Sequence, residues 1–151
     1  ANGLISTLAD AIASDAELDA WCQKEFSRPV TVWVDINEES PPEADEYPVA
    51  AILGITGDER GGAKSEITRQ VWLGCAVENA AVEVDGRKRI HVGFLQAERL
   101  RELVEAAVYR AGLGGTGSEG NSASESRPPV FTSFSVITVT HMRSTRRAMP
   151  G

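Results

Sequence analysis

The stretch Glu66–Glu78 alternates in polarity along its whole length, and a run with that period and extent reads as a long β-strand. Ile67, Val71, Leu73, Cys75 and Val77 fall in one phase, and Glu66, Thr68, Gln70 and Trp72 in the other. Arg69 lies in the apolar phase, where a long aliphatic stem near a strand end can carry its charge out to water.

Such a strand needs neighbours, and other segments supply them. Residues 30–36 alternate cleanly, with Val30, Val32, Val34 and Ile36 on the expected buried face and Thr31, Trp33 and Asp35 opposite. Trp33 on the polar phase calls for cover from another part of the fold or from a neighbouring subunit. Residues 48–55 read as a short buried strand. Val130–Met142 is apolar on both faces, with Phe131, Ile137 and Val139 on one side and Phe134, Val136 and Met142 on the other. That pattern marks a central strand or one covered twice. Val82, Glu83 and Val84 face Ile90, His91 and Val92 across Asp85-Gly86, a type I′ turn signal, so a hairpin or reaching loop with Arg87, Lys88 and Arg89 beyond its turn is expected.

Three helical segments accompany these strands. Asn2 can cap a first helix whose Leu4, Leu8 and Ile12 recur at helical spacing. Ser14-Asp15-Ala16-Glu17 is a capping-box pattern with Ser14 at the cap, so the chain kinks or breaks around 13–15. Leu18, Trp21, Cys22 and Phe26 then form one apolar face, closed by Pro29. The strongest helical pattern is 94–111, striped by Leu100, Leu103, Val104, Ala107, Val108 and Ala111 and stopped by Gly112. These elements predict an α+β fold: a mostly antiparallel sheet with one long amphipathic helix on a face and N-terminal helices nearby. Residues 1–142 form a single domain with a flexible Gly/Ser-rich insertion at 112–127, and 143–151 form a basic C-terminal tail.

Composition narrows the function classes. The chain has 151 residues, 42% of them hydrophobic and 25% charged, as in ordinary globular domains. No apolar run approaches the ~20 residues that cross a bilayer, so no membrane partner is expected. The first residues carry no basic region ahead of an apolar stretch, so no secretory signal is expected, and a small first residue fits a protein made in the cytoplasm. The net charge of −7 is unevenly placed. Residues 1–47 hold half of the acids and only Lys24 and Arg28 as bases, whereas the rest of the chain is slightly basic. The polarity is either a solvated face or a complementary docking surface between copies or partners. An acidic total argues against nucleic-acid binding as the main activity.

Chemistry is harder to find. Cys22 and Cys75 are the only cysteines, lack metal-ligand spacing and read as buried free thiols. Two distant cysteines and two scattered histidines do not make a zinc site. The acidic loop 37–47 lacks the ligand order of a calcium loop. The Gly-Leu-Gly-Gly-Thr-Gly run after Gly112 follows a helix, not a strand, and lacks the Lys-Ser/Thr of a phosphate loop. His91 and His141 have no motif-like neighbours, and the serines concentrate in the insertion. No catalytic, cofactor-binding or metal-binding residue emerges, and the chain is not expected to be an enzyme.

The order of elements itself is informative. The N-terminal helix, a strand, an acidic loop, the strand in Tyr47-Pro48-Val49-Ala50-Ala51-Ile52-Leu53-Gly54, the strand through Arg69-Gln70-Val71-Trp72-Leu73, one amphipathic helix and a final strand resemble the tail terminator proteins of long-tailed bacteriophages. The resemblance covers most of residues 3–142. It implies a small α+β subunit of a hexameric ring at the head-proximal end of the tail tube, which stops tube growth and joins the tail to the filled head. The implied partners are further copies of the chain, the tail tube protein and a neck or head-completion protein, with DNA only as passing cargo. The implied location is the tail–neck junction of the virion, after assembly in the host cytoplasm. In such a ring, Trp33, Trp72, Arg87, Lys88, Arg89, Arg143, Arg146 and Arg147 are candidates for contacts between proteins. Asp35, Glu38, Glu39, Glu43, Asp45 and Glu46 are candidates for the lumen or rim. Another neck or tail-completion component, or a small bacterial α+β enzyme or ligand-binding domain, remain the alternatives.

Overall fold

The computed structural model describes residues 2–35, 42–56, 66–113, 123–127 and 129–142. Three helices, α1 (Asn2–Ser14), α2 (Ala16–Phe26) and α3 (Val92–Arg110), accompany seven strands. The strands are β1 (Thr31–Val34), β2 (Val49–Ile55), β3 (Glu66–Glu78), β4 (Val82–Asp85), β5 (Lys88–His91), β6 (Ala123–Arg127) and β7 (Val130–Met142). Five of them form one sheet in the order β1-β2-β3-β7-β6, antiparallel except for the β1–β2 pair, while β4 and β5 form a separate hairpin. The fold is α+β, with α3 lying across β3 and β7.

The period-two pattern separates the two faces of the sheet as the sequence suggests. Val71, Leu73, Cys75 and Val77 of β3, with Phe131, Ile137 and Val139 of β7, are buried on the helical side. They meet Leu100, Val104 and Val108 of α3, Leu8 and Ile12 of α1, and Leu18 and Cys22 of α2. Burying aliphatic side chains of this size stabilises by roughly 1.5–3 kcal/mol each, so this layer holds the fold together. β7 lies between β3 and β6, inside the sheet, as its two-sided apolar pattern predicts.

Several local features differ from the sequence reading. The cap of α2 is Asp15, whose carboxylate accepts the Leu18 amide at 2.9 Å; Ser14 instead ends α1 and donates its hydroxyl to the Asp10 carbonyl. A carboxylate outcompetes the hydroxyl here because Arg110 also binds it. Asn2 lies within α1, not ahead of it. α3 begins at Val92, and Ala111 is its exposed C-cap instead of a member of the stripe. Gly112, at φ +78°, and Leu113 then close the helix: the Gly112 amide donates to Tyr109 and the Leu113 amide to Val108, while Leu113 packs on the core. Val34 is exposed, because β1 is a short edge strand that ends where Asp35 turns left-handed at φ +69°. The hairpin turns on Gly86-Arg87, one residue later than expected, with Gly86 at φ +63° and Asp85 paired to Lys88. A glycine in the first loop position fits the II′ type, not I′. Within the segment read as a flexible insertion, Ala123–Arg127 is a strand in register with Val130 to Phe134; the rest of that insertion beyond Leu113 lies outside the described residues, as does the tail 143–151.

Candidate interaction surfaces

The face of the sheet turned away from the helices has no helix packed on it among the described elements. Its floor is one cross-strand row, Trp33–Ala51–Gly74–Phe134, in which small residues separate two aromatics. Trp33 packs against Tyr47, Val49 and Ala51, so its off-phase position is explained by cover from within the fold. Leu53 and Phe134 lean over Gly74; a Cβ there would lie 3.0 Å from Leu53 Cδ1 and 3.3 Å from the Phe134 ring. Trp72 occupies the adjoining row, stacked over Gly54 and 39% exposed. The result is an apolar groove of about 310 Å³ lined by Tyr47, Val49, Leu53, Ala76, Thr132 and Phe134, among others.

An acidic turn borders this groove. Pro42 and Tyr47 line it, and the residues between them include a 3₁₀ turn, Ala44–Glu46. Arg28 fixes the turn in place by donating to the carbonyls of Ala44 (3.1 Å) and Tyr47 (2.9 Å), and Glu46 accepts the Glu43 amide at 2.8 Å. Glu43 and Asp45 are exposed. Burial raises the pKa of the Tyr47 phenol, with the charges of Glu78 and Glu46 adding to the effect. Asp35 ends β1 and is exposed, its amide donating to Ile52 at 2.7 Å. Glu38 and Glu39 lie outside the described residues.

The second surface is the β4–β5 hairpin. Its strands make their extensive contacts, among the described elements, only with each other. Its base is tied down by the Val92 amide donating to Ala81 and by His91, whose ring lies 5.5 Å from that of Phe131. The register pairs Val82 with His91 and Val84 with Arg89 on one face, and Glu83 with Ile90 and Asp85 with Lys88 on the other. Val82 and Val84 are 46% and 64% exposed, with exposed Phe94 and Leu95 following at the start of α3. The Lys88 ammonium faces Asp85 at 4.0 Å on a face that also carries Glu83, two acids against one base, while Arg87 and Arg89 are exposed at and beside the tip. The tail arginines Arg143, Arg146 and Arg147 lie outside the described residues.

Among the described residues, α3 and β7 bring together one tight grouping of charged and hydroxyl side chains. Arg101 of α3 donates to Glu98 (3.0 Å), Glu105 (3.2 Å) and the Ser133 hydroxyl (2.9 Å), and Ser133 donates to Glu98 at 3.1 Å. Desolvation opposes the charge on Arg101, but its bonds and charges with Glu98 and Glu105 outweigh that effect and raise its pKa. Ser133 is fully buried with its hydroxyl engaged at both ends, so the cluster clamps α3 to β7 and offers no accessible nucleophile. Only the i, i+3 and i+4 spacing of Glu98, Arg101 and Glu105 was visible beforehand. A second bridge runs from Asn79 through Gln96 to Glu25. Cys22 and Cys75 are free and buried in the main core, where burial pushes both thiols up to about 12. Among the described residues no group of three or more His, Cys, Asp and Glu could hold a metal ion, and no helix is long and apolar enough to cross a membrane. The side chain of His141 lies outside the described set.

No protein-family model matches the chain, and no curated protein matches it either.

Proposed function

We propose that the chain is a structural subunit that assembles into a closed ring, in the manner of a tail terminator joining the tail tube of a bacteriophage to its neck. The observation that carries this reading is the two-sided sheet: helices bury one face and the other keeps an apolar groove, while the valines of the β4–β5 hairpin are also exposed. Exposed apolar patches of this kind mark sites of association. Two different patches on one molecule produce a heterologous contact, which closes into a ring or continues as a filament. The layout of elements and the uneven charge agree with this assignment. Its partners are further copies of the chain, a tube protein and a neck or head-completion protein, at the tail–neck junction of a virion.

The acids Asp35, Glu43, Asp45 and Glu46 suit a lumen or rim, because an acidic passage does not hold the phosphate backbone of transiting DNA. Negative-stain imaging of the purified chain tests the reading. Annuli of uniform diameter are expected, and dispersed monomers at tens of micromolar would reject it. A second reading, a ligand-binding α+β domain, is favoured by the groove alone. It expects a monomer that takes up a small apolar molecule there.

A further inference from the structure

We infer that the β4–β5 hairpin of one copy docks, through its Val82–Val84–Arg89 face, into the apolar sheet groove of the next copy. This deepens the ring reading and rests on it. Three features of the molecule match the two surfaces to each other.

The first is chemical. The groove is lined mainly by apolar side chains, while the hairpin presents two exposed valines that its own fold leaves uncovered. The second is charge. On the hairpin face that bears the valines, the cross-strand partners are Arg89 and His91, and that face carries no acid. The turn bordering the groove between Pro42 and Tyr47 carries Glu43, Asp45 and Glu46, with Glu78 near Tyr47. A valine-plus-arginine face therefore meets an apolar floor with an acidic border, and the opposed charges fix the orientation of approach. The other hairpin face, with its Asp85–Lys88 pair, is the wrong one, since it would bring Glu83 and Asp85 against the acidic border.

The third feature is rigidity. A register-fixed hairpin with a glycine in its turn and a base held by His91 and Val92 is ordered before it binds, as is the acidic turn pinned by Arg28. Association then orders few further groups, which keeps its entropic cost low. Because hairpin and groove are different patches, the contact is head-to-tail and each copy gives one and receives one. Glu43, Asp45 and Glu46 then belong to the rim between subunits, which leaves Asp35 as the described acid for the lumen.

Disulfide trapping tests the contact. Val84 is exposed and Thr132 lines the groove, so Val84→Cys and Thr132→Cys are tolerated by the fold, and the native thiols are buried and do not compete. Under mild oxidation the doubly substituted chain should form a ladder of covalent oligomers ending at the ring size, with each single variant remaining monomeric on a denaturing gel. In the assembled Thr132→Cys protein the new thiol should also be at least tenfold slower to react with a maleimide than in dissociated subunits. A ring that forms without the ladder, or whose groove thiol stays fully reactive, overturns the docking and leaves the groove to another partner, while the ring reading stands. Covalent dimers of Val84→Cys alone overturn it in favour of hairpin–hairpin pairing. Failure of the unsubstituted chain to associate at all removes the ring reading and this contact with it.

Discussion

Val84 and Arg89 are cross-strand partners on one face of the β4–β5 hairpin, so an uncovered aliphatic side chain and a guanidinium are presented together. If that face is an interface, its charge matters as well as its apolar area. Reversing Arg87 and Arg89 to glutamate, with the Lys88–Asp85 pair left in place, should weaken assembly by tenfold or more at low salt, shift the thermal midpoint of the subunit little, and matter less above about 0.5 M salt, where screening is nearly complete. Sedimentation across a salt series measures it.

Arg110 and Asp15 connect the end of α3 to the start of α2 through two hydrogen bonds of 3.0 and 2.6 Å. The Arg110 hydrogen bond, followed by the Leu18 amide and the Arg110 charge, lowers the pKa of Asp15 against the opposing effect of burial. A carboxyl depressed in the folded state stabilises fully above its unfolded value, near 3.8, and that contribution is lost as pH falls through the folded pKa. Asp15→Ala should cost about 1 kcal/mol at neutral pH from the lost cap, and the difference from the parent should shrink in strong acid. Denaturant titrations from pH 7 down to pH 2 give both values.

Two neighbouring serines on β7 should respond with opposite signs. Ser133 joins the Arg101–Glu98 cluster, whereas the buried hydroxyl of Ser135 has no hydrogen-bond partner among the described residues. Ser133→Ala should destabilise by roughly 1–2 kcal/mol and Ser135→Ala should stabilise by about 1 kcal/mol, since it removes an unpaired polar atom from the core. Thermal unfolding of the two variants decides the pair.

Glycines also separate by position. A Cβ at Gly93 would lie 2.5 Å from Phe131 Cδ2 and 3.0 Å from the Asn79 carbonyl, so α3 approaches the sheet through the absence of a side chain. Gly93→Ala should lose about 1–3 kcal/mol by overpacking, more than the ~1 kcal/mol of helix propensity it gains. Gly3→Ala in α1 meets nothing within 4 Å and should be neutral or stabilising. Calorimetry on both variants measures the difference.

The alternation in β3 and the stripe in α3 made the sheet, its buried face and its main helix legible, because side-chain period follows directly from backbone geometry. The off-phase positions of Trp33 and Trp72 pointed to the second face. The groove itself was not legible, since it depends on residues brought together from β2, β3 and β7 and on small residues, Gly74 and Ala76, whose importance is their lack of bulk. The Arg101 cluster was only half visible, because Ser133 reaches it from a strand 32 positions away. Ala123–Arg127 was hidden by serines, which carry little strand preference and are held here by pairing with β7.

Native mass spectrometry of the purified chain over a range of micromolar concentrations reads the number of copies in the assembly. A single closed species, six copies as the tail-terminator resemblance implies, is the expected result. A monomer that persists across the whole range would contradict the account.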